Sequence, residues 1–326
     1  SLILLICWRK GNEMSSNIDV KSGIENDIYM GKVPVLSNER IYNFRSLSIT
    51  SAGIGIASWC FVQGGWIGSV LPVPLAILAT VLPVIVMGLI MIAMVTVPTR
   101  LGVDNYLIQS ATFGPTFSRA LFLVCIFTAA GWYVINAQVM ATAIMRIAGY
   151  AGADIPAPAM PWLACICFIV GFIFAIKGPK VIAIATKIMI PCIVGIGVLL
   201  LIRISSTTSL NELVAVEPYN AGLYPSTKVA FIMMAEGSVA FILSWYPVLG
   251  QLGRLTTTNR SSYWGHNVGL SFIMVFFVII GILSTAMMAR SGVYSDNPTQ
   301  WEYGGSAFWN IIAMVAIIFG NIGAQI

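Results

Sequence analysis

A chain of 326 residues that is 58% hydrophobic and only 9% charged, with a mean hydropathy of +0.89, is no ordinary soluble domain, because soluble domains carry about 25% charged residues. The formal charge of +5 does not point to nucleic acid either. The basic residues are scattered through short segments between apolar stretches rather than gathered in one patch.

Residues 1–43 read as a polar cytoplasmic tail. The run from Leu2 to Cys7 is too short to span a bilayer and lacks a signal-peptide flank, so Met14 reads as the natural start, with residues 1–13 lying upstream of it. Residues 44–326 then form a transmembrane domain, with apolar spans expected near 46–70, 74–98, 118–145, 158–176, 181–203, 228–250, 266–289 and 306–326. A span of about 20 apolar residues crosses the hydrocarbon core, and a helix satisfies every backbone group there. The fold class is an all-α polytopic membrane protein. Of the 17 Lys and Arg residues, only Arg146, Arg203, Lys228 and Arg290 fall on the side opposite the amino terminus. The positive-inside rule therefore puts the amino terminus in the cytoplasm. The last apolar run reaches Ile326 without a polar flank, so the chain reads as truncated after about eight helices.

Span one contains Gly53-Ile54-Gly55-Ile56-Ala57-Ser58 and then Gln63-Gly64-Gly65. Span six contains Glu236-Gly237-Ser238 and then Ser244-Trp245-Tyr246-Pro247. Glycine and proline loosen a helix and free backbone groups, and in transporters such breaks build mid-membrane ion and substrate sites. Spans one and six are five apart, as corresponding members of two five-helix repeats would be. Close helix packing is the competing reading of these glycines. In span three, Trp132 and Asn136 are one turn apart and share a face. An indole that stacks, with an amide that reads a polar edge, suits a planar heterocycle.

Glu236 is the one carboxylate inside an expected span. At that depth it is expected to face a cavity or a partner, where it could exchange a proton or accept substrate N–H groups. Five of the six cysteines read as small buried hydrophobes, and His266 stands alone. That inventory excludes a metal centre and a Ser/His/Asp arrangement. An intramembrane enzyme would need paired acids or an activated nucleophile, so the chain does not read as an enzyme. A channel would show rings of charge or a repeated filter, and none is visible.

Four stretches together resemble the nucleobase:cation symporter-1 family (NCS1), the cytosine, purine, allantoin and hydantoin permeases. They are Gly53 to Ser58 with Gln63-Gly64-Gly65; Thr99-Arg100-Leu101-Gly102 with Phe113-Gly114; Gly131-Trp132-Tyr133; and Gly237-Ser238 with Gln251-Leu252-Gly253-Arg254-Leu255 and Tyr263-Trp264-Gly265. The resemblance runs from about Tyr42 to Ile326. It implies a leucine-transporter-like fold of inverted five-helix repeats. It also implies a secondary transporter that imports a nucleobase or related planar heterocycle by cation symport. The family's stacking tryptophan falls on Trp132, its polar reader on Asn136 and its helix-six serine on Ser238. Ser58 and Glu236 complete the expected substrate set. Val239 and Ala129 depart from the cytosine permeases, in which those positions are an aromatic residue and a glutamine. The family's sodium site would fall on the carbonyls of Gly53 and Ile56 and on Asn321, Ala324 and Gln325. Ala324 has no side-chain oxygen, so a proton carried by Glu236 is favoured over sodium. No cofactor is expected beyond the coupling H+ or Na+. The expected partners are a nucleobase-like small molecule and the lipid bilayer, not nucleic acid. The alternative is a non-transporting, heterocycle-binding receptor of the same fold.

Overall fold

The computed structural model describes residues 33–176 and 179–324. Among them five helices are long and apolar enough to cross a bilayer, or six if one bent pair counts as a single span. Two shorter apolar helices, over 157–173 and 307–322, stand where the fourth and eighth spans are expected. The tail boundary proposed at Met14 lies outside the described residues.

The bent pair is α1 (Phe44–Gly55) and α2 (Ser58–Val70), which turn by 58° at Ile56 and Ala57. Asn43 starts α1, its Oδ1 accepting from Ser46 N at 2.9 Å. The helix ends where Gly53 and Gly55 weaken it and Ala57 turns extended. The freed carbonyl of Gly55 does not stay bare. It accepts from Trp59 Nε1 at 3.3 Å and from the Cys60 thiol at 3.2 Å. The glycines at 64 and 65, in contrast, lie inside a continuous α2 and serve packing.

The chain continues through α3 (Val73–Leu101), α4 (Asn105–Phe113), α5 (Pro115–Tyr150), α6 (Met160–Ile176), α7 (Pro179–Thr207) and the short α8 (Leu210–Val214). Then come α9 (Thr227–Leu243), α10 (Tyr246–Gly253), α11 (Asn259–His266), a π-helical stretch (Asn267–Phe272), α12 (Ile273–Arg290) and α13 (Ala307–Ala324). The expected seventh span therefore begins earlier, as one run of α11, π-helix and α12.

Span six is loosened at one place only. Glu236, Gly237 and Ser238 sit inside an unbroken α9, contrary to the expected break there. The loosening falls at Ser244 and Trp245, because Pro247 has no N–H to give to Leu243. The backbone there closes shorter turns, Trp245 N to Ile242 O at 3.3 Å and Val248 N to Trp245 O at 3.1 Å.

The two ends of the bundle are built differently. At one end the segment before α1 straps the loops together: Val35 N donates to Gly102 O at 2.8 Å, and Ile41 N and Tyr42 N both donate to Leu255 O at 3.0 Å. At the opposite end α2 lies against α12 with almost no space between backbones. A Cβ at Gly64 would overlap the carbonyl oxygen of Val278, and one at Gly281 would lie 2.7 Å from Phe61 O.

Candidate functional site

The bend of span one, the loosened turn of span six and the first half of α5 meet around a cavity of about 570 Å³. Gly53 and Ile54 from the last turn of α1 lie on its wall, with Trp59 just past the bend. Ser244, Trp245 and Tyr246 come from the span-six turn, and Trp132 from α5. On α5 the wall runs from Leu121 to Tyr133 and no further. Asn105, Tyr106 and Gln109 of α4 close it on the strap side. The cavity thus occupies the strap half of the bundle, and its wall is mainly apolar.

Three indoles form the inner end. Trp59 stands edge-on to Trp132, ring centroids 6.0 Å apart, and to Trp245, 5.2 Å apart. Trp132 is tilted against Phe241 at 5.1 Å. Several polar atoms of the wall are buried without a partner among the described residues: Trp245 Nε1, Gln109 Oε1 and Asn105 Oδ1. The other amide atom of Asn105, Nδ2, donates to Tyr246 O at 2.7 Å and ties α4 to the start of α10. An unmet buried donor or acceptor costs roughly 1–3 kcal/mol, so a ligand that satisfied these groups would gain by it.

The sequence candidates divide. Gly53 and Trp132 lie on the cavity wall. Ile56 is the residue at which α1 ends. Asn136 lies one turn beyond Trp132, fully buried, with both amide atoms unpartnered. Ser58 is also fully buried and bonds to Asn321 Oδ1, which joins α2 to α13. Asn321 O lies 4.0 Å from the Cys167 sulfur, and Cys167 clusters with Ala137 and Met140 beside Asn136. Asn136, Ser58 and Asn321 are therefore all buried off the cavity wall, the last two paired with each other.

Ser238 and Glu236 lie away from the cavity wall. The Ser238 hydroxyl is spent on Met234 O of its own helix at 2.9 Å. Glu236 is exposed on α9 and is not on the cavity wall. The buried face of α9 carries Ala230, Met234, Ser238 and Phe241, and Glu236 sits two residues, or about 200°, away from Ser238 round the helix. Gln325 lies outside the described residues. Among the described residues no group of three or more His, Cys, Asp or Glu could hold a metal ion.

Sequence reasoning missed Trp59, Trp245, Asn105 and Gln109. The signal for the two tryptophans was present, since each adjoins a break already singled out. The residues of α4 carried none, because a short polar helix between spans reads as a loop.

With this geometry in view, comparison with solved structures is decisive for the fold. The chain matches Mhp1, a nucleobase-cation-symport-1 family transporter, in a closed conformation with bromovinylhydantoin bound: TM-score 0.69, 15% identity, 90% of this chain and 66% of that one. It has the fold of that transporter. The inward-facing conformation of Mhp1 matches at TM-score 0.69 and 16% identity, over 90% of this chain and 64% of that one. The chain thus spans just under two thirds of the length of these neighbours. Both are transporters, not enzymes. No family model matches the chain, and no curated protein sequence does.

Proposed function

We propose that the protein is a cation-coupled secondary transporter that carries a planar heterocycle of the nucleobase or hydantoin class. The observation that carries this reading is the meeting of both helix interruptions at one cavity ended by three indoles. The heterocycle stacks on Trp132 and meets the unpartnered Trp245 N–H and Gln109 oxygen with its polar edge. The amide of Asn136, one turn deeper, serves the same edge once the indoles part. Mhp1, with a hydantoin bound and the same fold, supports the ligand class.

The cavity lies on the strap side with the segment preceding α1. With the amino terminus cytoplasmic, as the Lys and Arg distribution favours, it opens inward. The cation is a proton in preference to sodium. In support, Asn321 Oδ1, expected at the ion site, already accepts from the Ser58 hydroxyl.

The test is uptake by the full-length protein in proteoliposomes of radiolabelled cytosine, uracil, adenine, hypoxanthine, allantoin and a hydantoin, under an inward proton or sodium gradient. Concentrative uptake of one of them under the proton gradient is the expected result. A folded protein that takes up none of the panel under either gradient overturns the reading.

A further inference from the structure

The one histidine of the chain is not part of the cavity wall, yet it is fully buried among membrane-spanning helices. His266 ends α11 and leads directly into the π-helical stretch. Its Nδ1 lies 2.8 Å from the Ser51 hydroxyl of α1. Glycines bring these two elements together: a Cβ at Gly265 would lie 2.8 Å from Leu47, and one at Gly269 would lie 2.8 Å from the Ser51 Cβ. Ser51 is two residues before Gly53, which lines the cavity, and one turn before the end of α1 at Gly55.

The second observation is what lies unpaired around it. His266 Nε2, Asn267 Oδ1 and Ser271 Oγ are all buried without a hydrogen-bond partner among the described residues. Three such atoms within six residues, on a π-helical turn, are unusual for a purely structural junction, and π turns recur at functional sites. An ionisable side chain at this depth is by default a functional group. Among the described residues Arg45 of α1, Arg100 of α3, Lys187 of α7 and Arg260 of α11 are exposed, Arg290 lies at the far end of α12, Tyr263 is half-buried, and the one buried cation, Arg254, follows α10 rather than lying on α1, α11 or α12.

Resting on the transporter reading above, we infer that His266 is the proton-binding residue that couples transport, in place of the exposed Glu236. With Nδ1–H donating to Ser51, the lone pair of Nε2 takes a proton from water admitted when the joint between α1 and the π turn opens, and forms imidazolium. The proton returns to water on the other side when the bundle reopens. The charge appears at the joint between α1 and the π turn, so proton binding acts directly on the helix whose bend shapes the cavity.

The experiment compares the full-length protein with His266→Gln, whose amide can still pair with Ser51. In proteoliposomes the variant is expected to keep exchange of labelled for unlabelled heterocycle while losing all concentrative uptake under a proton gradient. Separately, the imidazole resonance of 15N-histidine-labelled protein, assigned by its disappearance in His266→Gln, is expected to titrate, and to do so at a different pH once the transported heterocycle is added, as linked binding requires. Unchanged proton-driven accumulation by the variant overturns the inference, and so does a resonance whose titration the heterocycle leaves unmoved. If the unsubstituted protein transports nothing but the resonance titrates, the proton site stands and the transporter reading falls.

Discussion

The two halves of this bundle use the same residue types to opposite ends. At the strap end, glycines at 53 and 55 end a helix, and the space left is walled by indoles and amides. At the opposite end, glycines at 64, 68 and 281 let α2 and α12 touch backbone to backbone. There Arg146 closes the loop before α13, donating to Thr299 O, to Trp301 O at 3.1 Å and to Glu302 Oε1 at 3.1 Å. Trp301 is fully buried beneath that loop and donates to Ser295 O at 2.8 Å. One half is shut by packing and a latch, and the other holds the cavity. On the proposed transporter reading, that asymmetry corresponds to one gate closed and the other open.

The comparison can be broken most severely at the packed end. Gly64→Val forces a side chain into the backbone of α12, at a cost on the order of 3 kcal/mol. The expected result is a large fall in the thermal midpoint of the purified protein, whereas Gly131→Val, with open space around it, leaves the midpoint nearly unchanged. At the cavity end, Trp132→Ala and Trp245→Ala each remove a stacking face worth about 1–3 kcal/mol. Heterocycle affinity measured by equilibrium binding falls roughly 5- to 150-fold without a matching loss of stability.

A smaller effect sharpens the latch. Arg146→Gln removes a charge-assisted set of bonds that is only part-buried, worth about 1 kcal/mol. A cysteine placed at Ser295 becomes several times faster to label from the side opposite the strap. The smallest effect is expected at Glu236→Gln. As an exposed substitution it shifts affinity or uptake by no more than about 0.5 kcal/mol, or roughly twofold. Abolished uptake in that variant would return Glu236 to the site.

How much of this was legible beforehand follows from what hydropathy encodes. Depth in the membrane is written in the length of the apolar runs, so the spans and the bend near Gly55 could be read directly. Which face of a span looks inward is not written so plainly, because the spans are apolar all round. For Glu236 the sequence identifies the helix, α9, but not the face, which is exposed and off the cavity wall. Asn136 was assigned the right helix and lies one turn too deep to line the wall. Trp245 and Trp59 became visible only when two helices distant in sequence were brought together. The glycine pair at 64 and 65 shows the limit of composition alone, since a glycine that packs and a glycine that bends look identical in a sequence.

Cys125, on the cavity wall and partly exposed, offers the most direct test of the central claim. With Cys125 as the sole cysteine, the full-length protein is treated with a membrane-impermeant methanethiosulfonate from each side of sealed vesicles of known orientation. Reaction from the strap side, slowed when the transported heterocycle is present, is the expected result. Reaction at equal rates from both sides, or no protection by any transported heterocycle, would contradict it.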